Sequence, residues 1–100
     1  MFKNGMRPVH PGEILREDYL VPLEMSVNAL AKALHVPTPR INEIVRERRG
    51  ISADTALRLA RYFDTTPQFW LGLQAEYDLR VAEIKEAKRI ISEIQPRHVA

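Results

Sequence analysis

Between Thr38 and Arg46 the chain carries side chains that match the edges of base pairs. Arg40 could donate two parallel hydrogen bonds to guanine, and Asn42 could donate to and accept from adenine. Thr38 and Pro39 offer apolar surface to a thymine methyl. Glu43 could accept from the cytosine amino group, or could simply repel phosphate. Groups suited to phosphate stand on either side. Ser26 and Asn28 open the preceding segment, where side chains and free backbone N–H groups could meet an anion. Arg46, Arg48 and Arg49 follow it. Any one exposed arginine or asparagine is ordinary surface, so the spacing of the whole set has to carry the argument.

The distribution of charge agrees with that chemistry. Residues 38–61 hold six arginines against three acidic side chains, a net +3, whereas residues 1–37 sum to zero and residues 62–100 to −1. A local basic patch is what phosphate contact requires, although charge alone would equally suit a solvated helix face.

Five helices are expected to position these groups, because apolar residues recur at helical spacing and strand signals are weak. The first begins at His10-Pro11-Gly12-Glu13, turns Ile14, Leu15 and Tyr19 inward, and ends at Pro22. Ser26 caps the second, whose Val27, Leu30, Ala31 and Leu34 form a buried stripe. His35, Val36 and Pro37 interrupt it. Thr38 to Arg46 form the third, with Ile41, Ile44 and Val45 inside. Gly50 breaks the chain, and Ser52 caps a fourth helix with Ala56, Leu59, Ala60 and Phe63 inside and Leu57 beside them. Thr66 caps the fifth, with Pro67 at its first position. Its aromatic face is Phe69, Trp70, Leu73 and Tyr77. Phe69 and Leu73 are expected in the core, and Trp70 and Tyr77 at a dimer interface, where aromatic residues are enriched. Beyond Leu79, Val81, Ile84, Ile91 and Ile94 continue the stripe as an extension of this helix or a short sixth one. Ile84 and Ile91 are expected to bury against a second copy, since an exposed aliphatic stripe invites association.

The second and third helices meet the steric demands of a helix-turn-helix, two helices crossing at ~90–120° over a short turn. Ala31 is small where the helices cross. Four residues later His35 falls where left-handed backbone angles are needed; histidine is among the side chains enriched there. Val36 then locks the turn into the core. Ile41 and Ile44 pin the third helix and leave Thr38, Pro39, Arg40, Asn42, Glu43 and Arg46 outside.

Taken together, His10-Pro11-Gly12-Glu13-Ile14-Leu15, Asn28-Ala29-Leu30-Ala31, Arg49-Gly50-Ile51-Ser52, Ala56-Leu57-Arg58-Leu59-Ala60 and Pro67-Gln68-Phe69-Trp70-Leu71 with Leu73-Gln74 resemble the HigA-type antitoxins, also called virulence-associated protein I, of the lambda-repressor-like group. The resemblance covers about residues 7–80. It implies an all-α, lambda-repressor-like five-helix bundle that dimerises, represses the operon encoding antitoxin and toxin, and neutralises a RelE-like toxin that cuts mRNA on the ribosome. Glu47 departs from the pattern, since relatives often have glycine there, and the tail after Leu79 is longer than in many.

The expected organisation is an N-terminal arm (1–9), a DNA-binding domain (10–80) and a C-terminal helical extension (81–100) that contacts a second copy or a partner. Residues 97–100 are expected to fray. The 100 residues suffice for one small core, and a composition 45% hydrophobic and 28% charged is that of a globular chain. Cysteine is absent. No apolar run approaches the ~20 residues needed to cross a bilayer, and Met1 to Gly12 lack a secretory signal's apolar stretch, so the expected location is cytoplasmic with no membrane partner. His10, His35 and His98 read as a helix start, a turn and a tail residue; none pairs at metal-ligand spacing. There is no nucleophile elbow and no phosphate-binding glycine loop. The expectation is a non-enzyme without cofactor or metal, whose partners are operator DNA, a second copy and a toxin. Two rival readings keep the fold: a solitary transcription regulator with no toxin, and a protein-interaction module that no longer touches DNA.

Overall fold

The computed structural model describes residues 7–98; the expectations for residues 1–6 of the arm and for the last two residues lie outside them. Every element within that range is helical. Helix α1 is composite: Pro11–Ile14 is α-helical, Leu15–Leu20 is π-helical and Val21–Leu23 is α-helical. Then come α2 (Val27–Leu34), α3 (Thr38–Val45), α4 (Ala53–Phe63) and α5 (Pro67–Glu93).

The π-helical stretch has a sequence cause. Leu15 and Leu20 are both buried yet five residues apart, which in a 3.6-residue helix puts them more than a third of a turn out of phase. The wider turn brings them onto one face, and the Val21 N–H reaches back to the Arg16 carbonyl. Pro22 was expected to end this helix and does not. It donates no N–H, the loosened ladder accommodates it, and the helix continues to Leu23.

Four helix ends close in the same way. Met25, Val36, Arg48 and Thr65 each donate a backbone N–H to the carbonyl five residues back. The residues before them, Glu24, His35, Glu47 and Asp64, have φ of 51°, 57°, 62° and 56°. This is the closure in which glycine is usual, here made without glycine. His35 takes the left-handed angles expected of it. Glu47 takes them too, so the turn after α3 closes despite the departure from glycine.

The N-termini are capped as the sequence indicates. Ser26, Ser52 and Thr66 accept from the N–H groups of Ala29, Thr55 and Phe69. For α1 the cap is His10, whose Nδ1 accepts from Gly12 N–H at 2.8 Å. The α3 N-terminus has Pro37 at its cap position and no side-chain cap.

Leu15, Leu30, Leu34, Ile41, Ile44, Ile51, Leu59 and Trp70 form the centre of the core. Two expectations for the aromatic face are corrected. Trp70 has no exposed surface, and its indole N–H donates to Thr65 Oγ1 at 2.8 Å, so it belongs to the monomer core and not to a dimer interface. Tyr19 and Phe63 pack against it, at centroid separations of 5.1 and 6.4 Å. Phe69, expected inside, is 40% exposed. Helical phase explains both: Trp70, Leu73 and Tyr77 lie on one stripe at i, i+3 and i+7, and Phe69 lies at its edge, about 100° round the helix from Trp70. Leu73 packs against the core as expected, and Tyr77 is half-buried with its ring 4.8 Å from that of His10. Leu57 is exposed. Helix α5 runs on past residue 80, so the tail extends the fifth helix and is not a sixth. It ends at Glu93; Leu79, Ile84, Ile90 and Ile91 along it are exposed, as is Ile94 just past its end.

His10 makes the fold sensitive to acid. Its ring is buried, and burial lowers its pKa, while the Glu47 and Asp78 carboxylates oppose that shift. Protonating Nδ1 also destroys the acceptor that caps α1. The unfolded chain therefore takes up a proton near the ordinary value of about 6.5, and the folded chain only below it. The stabilisation is complete above pH ~6.5 and is lost as pH falls through the lower folded value. Thermal melts across this window should show a falling midpoint, and His10→Ser, which keeps a cap that cannot titrate, should flatten the dependence. An unchanged slope in that variant would assign it elsewhere.

Candidate nucleic-acid interface

The face that bears the base-matching side chains is built by what holds α3 from behind. Ile41 and Ile44 are fully buried and Val45 nearly so. Gly12 of α1 packs directly on the α3 backbone: a Cβ there would lie 1.8 Å from the Ile44 carbonyl oxygen, so only glycine permits the approach. Arg16 of α1 donates Nη1 to the Val45 carbonyl, and its other end lies 3.6 Å from Glu47. A cation thus meets the open carbonyls of the α3 C-terminus, where the helix dipole favours positive charge. Across the turn, Val36 packs against the core beside Ala31, which is 1% exposed.

The opposite face of α3 is open. Thr38 and Pro39 are exposed, while Asn42 and Glu43 are partly covered. Arg46, Arg48 and Arg49 are exposed beyond the helix. Ser26 and Asn28 are exposed at the start of α2, where the Ser26 hydroxyl already serves its own helix as cap. All ten residues expected at a DNA surface therefore reach solvent in part or in full.

Two of them are also engaged with each other's neighbourhood through acids. Arg40 Nη1 lies 2.7 Å from Asp54 Oδ2, at the start of α4. The same oxygen accepts from Arg58 Nε at 2.9 Å, and Arg58 Nη1 donates to the Leu34 carbonyl, also at 2.9 Å, at the end of α2. Hydrogen bonds from Arg58 first and then Arg40 hold the Asp54 carboxyl below the ordinary carboxylate range. Arg49 pairs with Glu43 at 2.7 Å, which occupies the carboxylate that could have met cytosine. Arg46 and Arg48 carry no such acid partner among the described residues.

Sequence reasoning missed Asp54, Arg58, Arg16 and Gln74. The Asp54–Arg58 pair has a visible i, i+4 signature. Nothing local links Asp54 to Arg40, or Arg16 to Val45, because those contacts span 14 and 29 residues. Gln74 of α5 accepts from Ile51 N–H at 2.7 Å and lies against Gly50, so α5 fixes the end of the loop that carries Arg48 and Arg49.

Comparison with known proteins agrees with this geometry. The helix-turn-helix family matches residues 15–70. Virulence-associated protein I of Dichelobacter nodosus is 65% identical over 81 residues, which is 81% of this chain and 75% of that protein. The solved Pseudomonas aeruginosa antitoxin HigA with higBA promoter superposes with a TM-score of 0.90 at 55% identity, covering 92% of this chain and all of that one. An addiction module antidote protein of the HigA family from Coxiella burnetii gives 0.88 at 52% identity over the same shares. The chain therefore belongs to the helix-turn-helix family, and within it to the group of HigA-type and virulence-associated protein I-like proteins.

Proposed function

We propose that this protein is an antitoxin that binds operator DNA through α2 and α3, represses its own operon and neutralises a RelE-like, mRNA-cleaving toxin in the cytoplasm. The observation that carries the DNA part is the outward polar face of α3 on a helix pinned by Ile41 and Ile44. The P. aeruginosa relative, solved with promoter DNA, supports it at 55% identity. Thr38, Pro39, Arg40, Asn42 and Glu43 face base edges in this reading. Ser26, Asn28, Arg46, Arg48 and Arg49 contact phosphate and set the register. For Glu43 the contact requires exchange of Arg49 for a DNA group, whereas Arg40 engages Asp54 through Nη1 alone and can keep that bond.

The protein acts as a homodimer in this proposal. Ile84, Ala87, Ile91 and Ile94 follow one another at steps of three and four, the spacing of a coiled-coil seam. Ile84 and Ile91 are 59% and 56% exposed, too much apolar surface for a helix that stands alone. Tyr77 would join this surface only at its edge, because much of its ring lies against His10. A dimer would place two copies of α3 in successive major grooves, ~34 Å apart on a palindromic site. The toxin part rests on the likeness to HigA-type antitoxins.

Two measurements test the two parts. Arg40→Ala should cost ~1–3 kcal/mol on the operator and relax preference at one or two base pairs, whereas Arg48→Ala should weaken all duplexes equally and lower the salt slope by about one. Parent-like binding by both variants to operator and random DNA would show that the face is misassigned. The proposal expects a toxin gene beside this one, and co-expression of the two products should relieve the toxin's growth arrest; no such gene, or persistent arrest, would favour a solitary regulator.

A further inference from the structure

The arginine that best suits a guanine is not free to wander. Arg40 gives Asp54 only its Nη1 and keeps Nε and Nη2 uncommitted. Its side chain is 31% exposed, so it is restrained yet reachable. Asp54 is itself fixed, because Arg58 shares its Oδ2 and is tied in turn to the Leu34 carbonyl. The contacts therefore run from the end of α2 through α4 to the recognition helix, and each helix is rooted in the core by a buried aliphatic, Leu34, Leu59 and Ile41.

Two physical consequences oppose one another. A free arginine explores many rotamers, and ordering it on DNA costs affinity; a guanidinium already held by a carboxylate loses less. A negative charge among arginines that would face phosphate weakens attraction to every duplex. An acid at this place lowers general DNA affinity and at the same time favours one orientation of the arginine suited to reading bases.

Building on the DNA-binding reading above, we propose that Asp54 is the positioning residue of Arg40: it presents the guanidinium to a base in one orientation and sets how strongly the protein prefers its operator over other DNA. Asp54 touches no base in this proposal and acts only through Arg40. Arg58 supports it from behind.

The test uses the full-length protein, a duplex that the parent selects from a random-sequence library, and a scrambled duplex of equal length and composition. Asp54→Asn keeps the shape of the side chain and removes its charge. It should bind the scrambled duplex more tightly than the parent does, while preference for the selected duplex falls about tenfold, within the range one bidentate base contact supplies. In an Arg40→Ala background the same substitution should leave preference unchanged, because its effect passes through Arg40. Preference is a ratio for the same folded molecules, so a purely structural loss, followed by thermal melting, does not move it. Undiminished preference in Asp54→Asn, or an equal fall without Arg40, overturns the proposal. A parent that selects no sequence overturns the DNA-binding reading and this inference with it, whereas a selecting parent with an indifferent Asp54→Asn overturns this inference alone.

Discussion

Gly12 rests against the Ile44 carbonyl so closely that no other residue fits between α1 and the recognition helix. From that approach the rest of the interface follows. With α1 this near, Arg16 reaches the last carbonyl of α3, and Ile41 and Ile44 sink into the core. The helix can then rotate in neither direction without exposing aliphatics or stranding a carbonyl. Its remaining face has nowhere to point except outward. The same approach explains why His10 matters, since its imidazole caps α1 where Gly12 begins the contact.

The outward face is less basic than the charge count implies. Six arginines lie between residues 38 and 61, yet Asp54 and Glu43 engage three of them. Exposed pairs of this kind add little stability, typically under ~1 kcal/mol. Their greater effect is on the arginines' freedom and on the field that DNA would meet. Arg46 and Arg48 have no acid partner among the described residues, while Arg40 is held in place by Asp54. In the proposed reading, the arginine assigned to bases is thus already restrained in the free protein and two of those assigned to phosphate are not.

Much of this was legible in local spacing. Ala31, His35 and Val36 announce the turn through size, backbone tolerance and polarity, and Ser26, Ser52 and Thr66 mark helix starts. All of these signals lie within a few residues of what they determine. The failures have equally physical causes. Trp70 and Phe69 were exchanged because neighbours on a helix differ by about 100°, and composition does not fix the phase. The π-helical turn was hidden because it depends on both Leu15 and Leu20 facing one core. The Arg40–Asp54 and Arg16–Val45 contacts join distant segments, so no window on the sequence contains them. Four left-handed turns without glycine show the limit of breaker rules: His35 carried a cue in its own residue type and Glu47 only through the resemblance, while Glu24 and Asp64 take the angles because the helix ends require them.

In the proposed complex the outer side of α3 lies in the major groove. Methylation interference on the DNA upstream of the gene tests it directly, because guanine N7 opens onto the major groove and adenine N3 onto the minor. Methylated N7 should block binding in two clusters about one helical turn, ~34 Å, apart, with N3 methylation tolerated between them. Interference confined to adenine N3, or none at guanine N7, would contradict it.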